Sequence, residues 1–167
     1  ETGWGAEDIV VNVQGDEPML PAVLIAQAAA LLATWQQADI ATLATPIASL
    51  KAFMDPNVVK VVTDRTQRAL YFSRAPIPWQ RDGAPAGVSS QQSFADARRH
   101  IGLYAYRVAS LLRLSSLAPT PHEQAEKLEQ LRALENGMDI RVSDAAEPPG
   151  PDVNTADDLQ RVQSLLR

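Results

Sequence analysis

Ile9-Val10-Val11-Asn12-Val13-Gln14-Gly15-Asp16-Glu17-Pro18 decides how the rest of this chain is read. A short run rich in β-branched residues ends in a polar, acidic corner containing Gly and Pro. That pattern predicts a buried strand, Ile9–Val13, closed by a turn. Two carboxylates at the carboxyl end of a buried strand are costly unless something uses them. In open α/β sheets, ligands bind at that end of the strands. A hard carboxylate there suits Mg2+, which prefers oxygen ligands and completes its shell with phosphates and water. The plain alternative is an acidic turn that supports the N-terminus of the next helix.

Working outward, Pro21 opens a helix expected over Ala22 to Gln37. Strands follow at Asp39–Ile47 and Val58–Val62, and the latter pairs with Ala69–Ser73 as a hairpin. Pro76 to Gln92 is rich in Pro, Gly, Ser and Gln and reads as a loop. His100–Val108 alternates like a strand, and Ala109–Leu117 reads as a short helix. Thr120-Pro121-His122-Glu123 has the form of a capping box. Leu128, Leu131 and Leu134 space like one face of the helix it opens, which Asn136-Gly137 stops. Met138–Val142 is a short strand and Pro148–Pro151 a stiff connector. Thr155 to Asp158 starts a last helix with Leu159, Val162, Leu165 and Leu166 on its apolar side. Alternating strands and helices predict an α/β fold with a mixed sheet, as a single domain over residues 1–167.

Bulk numbers narrow the function. The chain has 167 residues, 46% apolar and 21% charged, ordinary for a globular protein. Its net charge of -5 argues against a nucleic-acid binder with a broad basic face. A few arginines in a cleft can still hold an anionic substrate. The absence of cysteine excludes disulfides, thiolate zinc sites and thiol catalysis, and fits a cytoplasmic protein. No apolar run reaches the roughly 20 residues of a membrane span.

Four further clusters carry chemistry. Arg74 and Arg81 flank a Pro-x-Pro element, and their planar forks suit carboxylates and phosphates; paired surface arginines are the bland alternative. His100, Gly102, Tyr104 and Tyr106 share one strand face, where imidazole and hydroxyl groups suit a polyol. Glu129 and Gln130 lie beside the leucine stripe and read as solvated helix residues on their own. Asp152-Val153-Asn154-Thr155-Ala156-Asp157-Asp158 makes an ordinary helix start.

Together, V-N-V-Q-G-D-E-P, Y-F-S-R-A-x-I-P-W, H-x-G-x-Y-x-Y-R and L-E-Q-L-R resemble, in order, the segments of the 3-deoxy-manno-octulosonate cytidylyltransferases, the CMP-Kdo synthetases. The resemblance implies a nucleotide-diphospho-sugar transferase-like α/β/α sandwich, usually a homodimer. It implies transfer from CTP to the acid sugar Kdo, giving CMP-Kdo and pyrophosphate for lipopolysaccharide synthesis. It places Asp16 as the catalytic Mg2+ ligand, and Gln14, Arg74, Arg81, His100, Tyr104, Glu129 and Gln130 around the sugar.

Two departures from the pattern matter. The family's second metal ligand is an Asp in a V-D-T sequence, and here that position is Asn154, with Asp152 as the alternative. The family's opening P-A-R-x-x-S-x-R-L-P-G-K-P-like segment, which holds the CTP phosphates, does not occur here. About a third of a family member is therefore expected before Glu1, and the chain alone is expected not to turn over. The alternatives are a synthetase for another acid sugar, or a non-catalytic sugar-binding and dimerisation module.

Overall fold

The computed structural model describes residues 3–151, 153 and 156–165. In chain order the elements are β1 (Ile9–Val13), α1 (Ala22–Thr34), β2 (Ile40–Pro46), α2 (Leu50–Met54), β3 (Lys60–Thr63) and β4 (Ala69–Ser73). They continue with β5 (Arg98–Arg107), α3 (Val108–Ser116), α4 (Pro121–Glu126), α5 (Gln130–Glu135), β6 (Ile140–Asp144) and α6 (Ala156–Leu165). The six strands form one mixed sheet in the order β4-β3-β5-β2-β6, with β1 also on β5. Only the β2–β6 pair is parallel.

Alternation along the strands sorts the core into two layers. Ala41 and Leu43 of β2, with Ile101, Leu103 and Ala105 of β5, face Leu24, Ala28 and Leu32 of α1. These three α1 residues recur every four positions and are fully buried. Ile40, Ala44, Tyr104 and Tyr106 face the other way, onto Leu128, Leu131 and Ala133. Helices thus cover both faces of the sheet, as in the expected sandwich. The β3–β4 hairpin curls back, and Val142 N donates to Gln67 O at 2.8 Å, tying the hairpin turn to β6.

Strand β5 organises the site. Along one edge it pairs with β1 through Leu103–Arg107 and with β3 through Arg98 and Arg99. Both partners run antiparallel to β5, so β1 and β3 form one interrupted row. The last ladder bonds are Gln14 N to Gly102 O at 3.0 Å and His100 N to Val59 O at 2.9 Å. Along this edge β1 ends at Gln14 and β3 takes up the row at Val59, and the acidic corner sits at that interruption. Along its other edge β5 is bulged, since Thr42 pairs with Tyr104 and Ala44 with His100. Three residues of β5 therefore oppose the single Leu43.

Three expectations need correction. The capping-box helix is not continuous to Asn136: Lys127 adopts a left-handed conformation (φ 54°) and divides it into α4 and α5. The leucine spacing is met after this break, where Leu128 and Leu131 are both buried. Helix α1 stops three residues early, at Thr34, where Trp35 turns away to stack under the Arg141 guanidinium, 4.0 Å from its ring centroid. In α6, Val162 is buried, whereas Leu159 and Leu165 are exposed because no described residue covers them.

Candidate active-site cleft

At the interruption lies a cleft of about 350 Å3. Its walls include Gln14, Asp16 and Glu17 from the acidic corner, Asn57 and Val59 before β3, and Arg74 after β4. Arg99, His100, Gly102 and Tyr104 of β5 form another side, and Lys127 to Gln130 close it. Segments far apart in sequence thus converge on one concave surface.

The two carboxylates of the corner have different roles. Glu17 is buried, with Oε1 3.4 Å from Gly102 N and 3.7 Å from an Arg99 Nη2. It caps the one stretch of the β5 edge that neither β1 nor β3 reaches. Asp16 is exposed on the cleft, and its carboxylate makes no hydrogen bond or ion pair with another described residue. Its carbonyl accepts from Val153 N at 2.9 Å, which ties the C-terminal connector to the corner. Asn154 and Asp152 lie outside the described residues.

Gln14 lies over Gly102. A Cβ built on Gly102 would stand 2.3 Å from Gln14 Oε1. Glycine is required here by that close approach, not by its backbone angles.

Arg74 is held from behind. Its Nε donates to Glu126 O at 2.7 Å and its Nη1 to Pro56 O at 3.0 Å. Carbonyls carry no countercharge, so the guanidinium keeps its full positive charge for a ligand. Glu126 also fixes the segment through Ser73 Oγ (2.6 Å) and Arg74 N (2.9 Å). Beneath this, fully buried Lys60 donates its ammonium to the carbonyls of Asp55 (2.9 Å), Val58 (2.5 Å) and Arg74 (2.6 Å). Desolvation lowers its pKa to about 8, so it remains a cation at neutral pH. One buried charge therefore knots together both flanks of the cleft.

His100 packs edge-on against Phe72, with centroids 5.0 Å apart, and tilted against Tyr104 at 5.1 Å. Burial, with Arg99 adjacent, lowers its pKa to about 3, so the ring is neutral. Burial likewise pushes the Tyr104 hydroxyl well above its usual range, so it stays protonated and can donate. Gln130 is buried in the cleft wall while Glu129, the residue before α5, is exposed. The break at Lys127 starts α5 afresh at the cleft, with Glu129 and Gln130 on its wall.

Of the residues singled out from the sequence, Gln14, Asp16, Arg74, His100, Tyr104, Glu129 and Gln130 line this cleft. Arg81 does not: it sits exposed in a 3-10 turn, Arg81–Gly83, on the long loop. Asn57, Arg99 and Lys127 also line the cleft, and no motif in the sequence marks them.

Comparison with known proteins agrees with this fold. The cytidylyltransferase family model matches residues 3–140. The chain is 48% identical, over 167 residues, to the 3-deoxy-manno-octulosonate cytidylyltransferase of Thioalkalivibrio sulfidiphilus, covering 100% of this chain and 66% of that protein. It is 51% identical over 164 residues to the enzyme of the same name from Alkalilimnicola ehrlichii, covering 98% of this chain and 63% of that one. The chain thus spans slightly under two thirds of the length of the curated relatives it matches. Among solved structures, a CMP:2-keto-3-deoxy-manno-octonic acid synthetase complexed with CTP superposes with a TM-score of 0.80 at 38% identity, covering 95% of this chain and 61% of that one. A glucose-1-phosphate thymidylyltransferase from Bacillus anthracis shares the fold alone, with a TM-score of 0.54 at 16% identity and covering 96% of this chain and 55% of that one. The chain belongs to the cytidylyltransferase family.

Proposed function

We propose that this chain forms the acid-sugar and metal-binding part of a CMP-Kdo synthetase, which joins CTP and Kdo to give CMP-Kdo and pyrophosphate for lipopolysaccharide synthesis. One observation carries the reading: a single cleft gathers Gln14, Asp16, Arg74, His100, Tyr104, Glu129 and Gln130 from four separate segments. The names of the relatives support the same substrates.

In this reading the anomeric hydroxyl of Kdo attacks the α-phosphorus of CTP. One P–O bond forms, the bond to the departing pyrophosphate breaks, and the hydroxyl proton is released. Such chemistry is mostly positioning and charge neutralisation. Arg74 and Lys127 supply positive charge for the sugar carboxylate. Gln14, His100, Tyr104, Glu129 and Gln130 supply donors and acceptors for its hydroxyls. Arg81 joins the sugar site only if its loop moves toward the cleft.

The donor set fits Mg2+. Among the described residues no group of three or more His, Cys, Asp or Glu could cage a metal. Mg2+ needs no such cage, because one or two carboxylates with substrate phosphates and water satisfy it. Asp16 would hold it, with Asn154 or Asp152 as the second ligand. When bound, the ion would neutralise charge on the phosphate oxygens. The proposal extends to a homodimer in the cytoplasm. No described helix is long and apolar enough to cross a membrane.

The test is pyrophosphate release by the full-length gene product, supplied with CTP, Mg2+ and a panel of acid sugars. Release with Kdo, well above that with a sialic acid or an amino analogue of Kdo, is expected. Equal or greater release with another acid sugar would replace Kdo, and none with any would favour a binding module.

A further inference from the structure

We propose that Thr42 is a positioning residue that fixes the tautomer of His100, so that Nδ1 presents a bare lone pair to a hydroxyl of the sugar. The inference rests on the acid-sugar reading of the cleft and adds a specificity device to it.

The bulge in β5 lies beside Thr42. It turns the carbonyls of Ile101 and Leu103 toward β2, where Thr42 Oγ1 meets them at 3.4 and 2.6 Å. A carbonyl only accepts, so the single hydroxyl proton of Thr42 is committed to the shorter contact, with Leu103. The same oxygen lies 2.9 Å from His100 Nε2. With its proton spent, Thr42 can only accept there, so Nε2 must carry the ring's proton.

A neutral imidazole protonated on Nε2 has an unprotonated Nδ1. The ring is kept neutral by what surrounds it. Phe72 and Tyr104 pack on it, and the charged neighbour Arg99 opposes a second positive charge. Glu17, whose Oε1 lies 3.7 Å from Arg99 Nη2, is engaged by that arginine and by Gly102 N. His100 is therefore a pure acceptor on the cleft wall. It suits a hydroxyl, which can donate, and disfavours a carboxylate or phosphate oxygen, which would oppose lone pair to lone pair. Thr42, in the apolar run Ile40–Ala44, reads in sequence as core and carries no sign of this role.

The protein has two histidines, and His122 is exposed beside Glu135, so the rings separate readily by NMR. The experiment is a long-range 15N–1H correlation spectrum of the 15N-histidine-labelled chain, for parent, Thr42→Ser and Thr42→Val. Parent and T42S should show His100 protonated on Nε2 alone, and T42V should show protonation shifting toward Nδ1. In the full-length gene product, T42V should raise KM for the sugar about tenfold, the worth of one hydrogen bond, with kcat and the KM for CTP within about twofold, and T42S should restore it. A parent ring protonated on Nδ1 would overturn the proposal even if T42V fails to fold. So would a folded T42V whose sugar KM equals the parent's. If no acid sugar turns over while the tautomer pattern holds, the functional reading fails and the tautomer assignment stands.

Discussion

A methyl group at position 102 would collide with Gln14 Oε1 and stand 3.1 Å from its Cδ. The obstruction is the far end of a flexible side chain, so the backbone of β5 need not move. Gly102→Ala should therefore displace the Gln14 amide and leave the fold intact. We expect a rise in sugar KM of about tenfold, the loss of one well-placed polar contact, with the urea midpoint nearly unchanged. Steady-state kinetics with a parallel denaturation curve check this. The same scale shows what the sequence could reveal. Asp16, Gln14, His100 and Tyr104 announce themselves, because polar groups end one apolar strand and alternate along another. Arg99 does not. Alternation assigns it to the face opposite His100, and it reaches the cleft because the neighbouring row of strand is interrupted beside it. Lys60 reads as one polar residue in a valine run, and nothing local reveals that three carbonyls bury it.

Among the elements, the α4–α5 pair is where sequence periodicity is right about burial and wrong about continuity. Three leucines at helical spacing cannot report a left-handed residue just ahead of them. The pair is held instead by Glu123, which accepts from Thr120 N at 3.1 Å and Arg132 Nε at 2.8 Å, with a second short contact from Arg132 Nη2. The Arg132 hydrogen bonds hold its carboxyl below its usual value of 4.5. A depressed carboxylate stabilises the fold above its unfolded pKa, and that contribution is lost as pH falls through the folded value. Glu123→Gln should cost about 1.5–3 kcal/mol at pH 7. The gap from the parent should stay full down to about pH 4.5 and close below it, as read from urea midpoints across pH. The Pro148–Pro151 connector offers a second test. A Cβ on Gly150 would stand 2.7 Å from the Met19 carbonyl oxygen and 2.5 Å from its Cβ. That backbone cannot swing aside, so Gly150→Ala should push the connector off the acidic corner. The Mg2+ concentration for half-maximal turnover should rise severalfold, more than the sugar KM does.

For the whole molecule, the site depends on one topological fact: β1 and β3 share an edge of β5 and leave an opening between them. Alternating patterns identify the strands and their faces but not which strands share an edge, since pairing partners lie up to about a hundred residues apart. The mixed α/β class and the two-layered core are therefore legible from the sequence, while the cleft's assembly is not. The proposed homodimer is tested by light scattering of the full-length gene product, where a mass twice that of the chain is expected and a clean monomer would remove the dimer. The central claim, that the opening in the sheet holds an acid sugar, is tested most directly by a structure of the full-length gene product with Kdo. The account predicts the sugar against Gly102, with a hydroxyl on His100 Nδ1 and its carboxylate on the Arg74 side. Kdo bound outside this cleft, or with its carboxylate on His100, would contradict it.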